Sequence, residues 1–156
     1  MSARADVLWR VRRMRPRDVP AVVAIEHSAY DFPWSERIFR DCLRVGYRAW
    51  VVQHARAAIA GYALASIAVG EAHLLNLCVA EHARGQGAAA CLLEAVIAQA
   101  ERESAAELLL EVRPSNRAAR RLYVRYGFET RGRRPNYYPC RDGREDALLL
   151  SKVIGH

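Results

Sequence analysis

Residues 108–128 read LLLEVRPSNRAARRLYVRYGF, and the order strand, turn, helix is written into them. An apolar run suited to a buried strand ends in one acidic residue, Glu111, and Val112. Pro114 closes the run, and Ser115 or Asn116 is placed to cap the next helix. That helix carries Ala119, Leu122, Tyr123 and Tyr126 on one stripe, and Gly127 stands where a helix stops. Burying the leucines is favourable and burying a lone carboxylate is costly. Glu111 is therefore either an edge-strand residue facing water or a base in a partly desolvated cleft. Tyr123, on the next element, is either a core aromatic or the matching acid. Asn116 between them can cap the helix or bind a ligand amide.

Outward from this unit, the chain alternates strands and helices. Val7 to Met14 reads as a first strand. Asp18 followed by Pro20 starts a helix ending near Ala29, and Ser35 caps another running to about Val45. Tyr47 to His54 and Ala58 to Val69 form a hairpin, and Ala72 to Val79 is a further strand. A polar loop, Glu81 to Gly87, precedes a helix with its stripe at Leu92, Leu93, Val96, Ile97 and Ala100. Two final strands, near Phe128 to Arg133 and Asp146 to Val153, are expected to flank a long loop. The order β-α-α-β-β-β-α-β-α-β-β predicts an α/β domain with a mixed, mostly antiparallel twisted sheet flanked by helices.

The loop at Arg84-Gly85-Gln86-Gly87-Ala88-Ala89 brings small residues to the start of a helix. Backbone N–H groups there can approach a ligand at the positive end of the helix dipole, which suits a pyrophosphate. It lacks the Lys-Ser/Thr of a Walker loop and the GxGxxG of a dinucleotide fold.

At 156 residues the chain has the length of one domain. No apolar run approaches the roughly twenty residues that span a bilayer, and the first residues carry no secretory pattern. The four cysteines, Cys42, Cys78, Cys91 and Cys140, form no close pair, which points to free thiols in the cytoplasm and no metal site. The net charge of +7 is carried by arginine, with Lys152 the only lysine. Such a surface suits an anionic partner, but the arginines are scattered and no RNA-binding motif accompanies them.

Arg84-x-x-Gly87-x-Ala89 resembles the acetyl-CoA loop of the GNAT N-acetyltransferases, and the element order is similar to theirs. Asn76-Leu-Cys-Val, Leu110-Glu-Val-Arg, Ser115-Asn and Leu122-Tyr through Gly127-Phe resemble the RimI-like branch, which acetylates the N-terminal alanine of a small-subunit ribosomal protein. Phe32-Pro-Trp-Ser-Glu36, Asn136-Tyr-Tyr-Pro139 and Asp142-Gly-Arg-Glu-Asp-Ala147 strengthen that resemblance, which covers about residues 30–150. Gly85, where the family usually has a cation, and Ala83, where it often has an aromatic, depart from it.

The resemblance implies a GNAT fold, acetyl-CoA as co-substrate without a metal, and a ribosomal-protein N-terminus as acceptor, with no direct nucleic-acid or membrane partner. It makes Glu111 the base and Tyr123 the acid. It assigns cofactor contacts to Leu77, Cys78, Val79, Arg84, Gly85, Gln86, Gly87, Ala88, Ala89 and Asn116, and peptide contacts to Phe32, Trp34, Glu36, Tyr137 and Tyr138. Glu36, Asp142, Glu145 and Asp146 are candidates to attract a basic residue after the acceptor alanine. One or two of Arg117, Arg120, Arg121 and Arg125 are expected near the coenzyme phosphates. Rival readings are lysine or small-amine acetylation on the same fold, and a non-catalytic module that binds CoA or the ribosome.

Overall fold

The computed structural model describes residues 8–155. Its strands are β1 (Trp9–Arg13), β2 (Arg48–His54), β3 (Ile59–Ala68), β4 (Glu71–Val79), β5 (Glu107–Val112), β6 (Glu129–Cys140) and β7 (Gly143–Val153). Its helices are α1 (Val19–Ala29), α2 (Glu36–Arg44), α3 (Ala88–Arg102) and α4 (Arg117–Arg125). The expected first strand is found from Trp9; its start at Val7 lies outside the described residues. The seven strands make one sheet in the order β1-β2-β3-β4-β5-β7-β6. All neighbours are antiparallel except β4 and β5.

Period-two patterning buries both faces of the sheet. Trp50 and Val52 of β2 and Ala63 and Ala65 of β3 face the stripe Leu92, Leu93 and Val96 of α3, with Leu122 and Tyr123 of α4 in the same core. The alternate residues Val51, Tyr62 and Leu64 meet Val19, Val22 and Phe39 of α1 and α2. Ser35 caps α2 by accepting from the Ile38 N–H, and Asn116 caps α4 by accepting from the Ala119 N–H.

The end of the chain differs from its sequence-based expectation. The supposed long loop after Arg133 is strand, and β6 and β7 form one long hairpin turning at Arg141-Asp142. Pro135 and Pro139 argue against a central strand, but β6 is the sheet edge, where a missing N–H costs little. Between the pairs Arg134–Ala147 and Tyr138–Glu145 the register breaks into a bulge. Asp146 pins it, accepting from the Asn136 N–H at 2.9 Å and from Arg133 at 2.8 Å.

Strand β4 is held unequally on its two sides. Pairing with β5 runs only from Glu71–Glu107 to Leu74–Leu110, beyond which the two strands part. On its other side β4 stays tight against β3: a Cβ at Gly61 would stand 2.7 Å from the Cys78 carbonyl oxygen. Gly61→Ala is accordingly expected to destabilise the protein by about 1–3 kcal/mol, because backbone must yield. A thermal melt checks this; an unchanged Tm would show that β3 and β4 can separate freely.

Candidate active site

Where β4 leaves β5, two cavities open, of about 390 and 530 Å³. They share Tyr30, Leu77, Asn116 and Ala119 as walls, so they meet at the splay. The Ala80 N–H donates to Ala60 of β3, which fixes the parity of the ladder. Cys78 and Ala80 therefore turn their backbone groups to β3, whereas Leu77 and Val79 turn theirs towards the open side. The Val79 carbonyl, so exposed, accepts a hydrogen bond from Arg84 Nε at 3.1 Å.

The larger cavity is bounded by Leu77–Val79, by Arg84, Gly85, Gly87, Ala88 and Ala89, and by α4. Gly85 and Gly87 have φ of +75° and +90°, the left-handed region that admits glycine without strain. They turn the chain so that the first N–H groups of α3, which have no earlier carbonyl to meet, are available at its N-terminus. Gln86 faces elsewhere: its carbonyl accepts from the Trp9 indole and its side chain donates to the His82 carbonyl. Cys78 contributes a wall through its buried side chain; burial pushes its thiol up, as expected of a packing residue rather than a nucleophile.

The smaller cavity gathers Glu111, Tyr123, Phe32, Trp34, Tyr137 and Tyr138. Glu111 is half-buried on β5 opposite Leu149, and its carboxylate is ion-paired with Arg134 at 3.2 Å. The Arg134 guanidinium lies over the Tyr137 ring at 4.9 Å, so the bulge in β6 presents cation and aromatic together to the carboxylate. Burial, then Glu111, pushes the Tyr137 phenol up. Tyr123 is buried, its ring edge-on to Phe128 at 5.5 Å. Burial also raises its phenol. Every fully enclosed side-chain polar atom among the described residues has a partner, and the Tyr123 hydroxyl has none, so it opens onto the cavity.

Sequence reasoning missed Glu26. This carboxylate is 2% exposed, yet it lines the smaller cavity. It accepts from the Tyr62 hydroxyl, from Asn76 Nδ2 at 3.0 Å and from the Trp34 N–H at 2.8 Å. One buried acid thus ties the Phe32–Trp34 segment to β4 at the splay. Its place on the α1 stripe after Val19 and Val22 was the available signal. Tyr30 was missed too: it walls both cavities, and burial, then the neighbouring Cys78, raises its phenol.

The acidic candidates are largely occupied. Glu36 begins α2, paired with Arg40 at 2.8 Å and outside both cavity walls. Glu145 accepts from Arg113 and from the Ser115 N–H, and Asp146 holds the bulge. Among the described residues no cluster of three or more potential ligands could hold a metal, and no helix is long and apolar enough to cross a membrane.

Comparison with known proteins identifies the family and the fold. The sequence profile of the acetyltransferase (GNAT) family matches residues 10–128. The [ribosomal protein bS18]-alanine N-acetyltransferase of Escherichia coli K12 is 37% identical over 145 residues, covering 92% of this chain and 97% of that protein. The Haemophilus ducreyi enzyme of the same name is 35% identical, covering 88% and 95%. The crystal structure of the E. coli ribosomal-protein-S18-alanine N-acetyltransferase superposes with a TM-score of 0.89 at 36% identity, covering 96% of each chain. With its profile, its relatives and its parted strands in accord, the chain belongs to the GNAT family of acetyltransferases.

Proposed function

We propose that the protein is a RimI-like N-terminal acetyltransferase, moving the acetyl group of acetyl-CoA to the α-amine of an N-terminal alanine on a ribosomal protein, in the cytoplasm. The observation that carries the reading is the pairing of Glu111 with the free Tyr123 hydroxyl in one cavity, joined at the β4 splay to a glycine-lined groove. The likeness to the bS18-alanine enzymes supports the acceptor.

The residues suit the co-substrate. The outward N–H groups of Leu77 and Val79 are placed to bind an extended amide arm, and the turn at Gly85 to Ala89 to hold a pyrophosphate. Acetyl transfer needs a neutral amine. A peptide α-amine, with pKa near 8, is about one-tenth neutral at pH 7, whereas a lysine near 10.4 is neutral less than about one time in a thousand. Glu111, acting directly or through water, removes the amine proton; the amine must first displace Arg134 from it. A strand N–H, Val79 in our reading, meets the developing oxyanion. As the C–S bond breaks, the Tyr123 hydroxyl supplies the proton to the departing thiolate. Phe32, Trp34, Tyr137 and Tyr138 wall the side from which the peptide enters.

A short alanine-starting peptide should release thiol from acetyl-CoA, while the same peptide, N-terminally blocked but carrying a lysine, should not. The expected preference is about a hundredfold or more, the ratio of neutral amine. Turnover on the lysine peptide alone would overturn the acceptor class.

A further inference from the structure

Resting on the acetyl-CoA reading, we infer that Tyr30 is a further catalytic residue, its hydroxyl donating a hydrogen bond to the acetyl carbonyl oxygen as that oxygen gains charge. Tyr30 ends α1, where its N–H donates to the Glu26 carbonyl at 3.1 Å. It is one of four residues that wall both cavities, with Leu77, Asn116 and Ala119. The side chains of Leu77 and Ala119 are apolar, and Asn116 spends its side-chain oxygen on the Ala119 N–H. Tyr30 alone of the four carries a hydroxyl to the junction.

Two phenols flank the splay from opposite faces of the sheet. Tyr30 packs with the α1–α2 core that holds Tyr62 and Cys78, whereas Tyr123 belongs to the core under α3 and α4. They are near enough that Tyr123 adds, after burial, Cys78 and Glu26, to raising the Tyr30 phenol above its ordinary range. A phenol so raised stays protonated and remains a donor at neutral pH. The Tyr62 proton is already committed to Glu26. What the Tyr30 hydroxyl meets is the Cys78 thiol, a weak acceptor that a developing oxyanion outcompetes. As the amine nitrogen bonds to the acetyl carbon, the C=O π pair moves onto the oxygen. Tyr30 shares its hydrogen there without losing it, beside the Val79 N–H as the other donor. When the C–S bond breaks, the carbonyl re-forms and the thiolate takes its proton from Tyr123. The two phenols therefore have separate tasks.

Tyr30→Phe removes the hydroxyl and keeps the ring. It should lower kcat on an alanine-starting peptide by about tenfold to a hundredfold, the scale of losing one oxyanion donor while another remains. Tm and the acetyl-CoA KM should stay near those of the parent. Infrared spectroscopy of bound acetyl-CoA, isotope-labelled at the acetyl carbonyl and without peptide, reads the hydrogen bond itself. The carbonyl stretch should lie at higher frequency in Tyr30→Phe than in the parent, a shift that a merely structural role would not produce. An unmoved band, an unchanged kcat, or a raised acetyl-CoA KM with kcat retained would overturn the assignment and leave the acetyl-CoA reading standing. A parent protein that binds no acetyl-CoA would overturn both.

Discussion

Glu111→Gln is expected to lower kcat on an alanine-starting peptide by about a hundredfold to a thousandfold while acetyl-CoA binding and Tm stay near those of the parent. The amide keeps the shape of the carboxylate but cannot take a proton, and a positioned general base contributes on this scale. Structural loss should be small, because Glu111 is half-buried and its ion-pair partner Arg134 is more than half exposed. Steady-state kinetics with a parallel thermal melt checks this. An unchanged kcat would remove Glu111 from the base role and turn attention to the other carboxylate in the same cavity.

That other carboxylate yields the second large effect. Glu26→Ala should destabilise the protein by about 3–5 kcal/mol, since Tyr62, Asn76 and the Trp34 N–H would each lose an acceptor where water does not easily replace it. For a domain of this size that corresponds to a Tm lower by about ten degrees or more. Glu26→Gln should be milder in the melt, because one oxygen can still accept from Tyr62 and Asn76. Its NH₂ would then face the Trp34 N–H, two donors in opposition. The peptide KM should therefore rise in the Gln variant while the acetyl-CoA KM holds. A Glu26→Ala protein as stable as the parent would show that the network contributes little to the fold.

Much of the fold was legible because its signals are local. The stripe Leu92, Leu93, Val96 and the caps at Ser35 and Asn116 declare their elements within a few residues. The β6–β7 hairpin was not legible, for its exposed edge strand carries Pro135, Pro139 and a run of arginines that read as loop. What decides its course is Asp146 reaching back to Asn136 and Arg133 across the bulge. The loop at Arg84 to Ala89 and the Glu111–Tyr123 pair stood out by residue type at fixed spacing. Glu26 did not, because Tyr62 and Asn76 lie 36 and 50 residues away and meet it only once α1 packs on β3 and β4. The Arg134 clamp on Glu111 is hidden for the same reason. The meeting of the two cavities depends on β4–β5 pairing ending at Leu74, a property of the sheet that no short motif records.

Whether acyl donor and peptide amine meet at the splay between Glu111 and Tyr123 is tested most directly by one structure. The ligand is a conjugate joining CoA, through an acetyl linker, to the α-nitrogen of a short alanine-starting peptide. Its sulfur is expected beside the Tyr123 hydroxyl, its nitrogen facing Glu111 with Arg134 displaced, and its peptide between Phe32–Trp34 and Tyr137–Tyr138. A conjugate whose nitrogen lies away from Glu111, or whose peptide leaves by another route, would contradict the proposed mechanism.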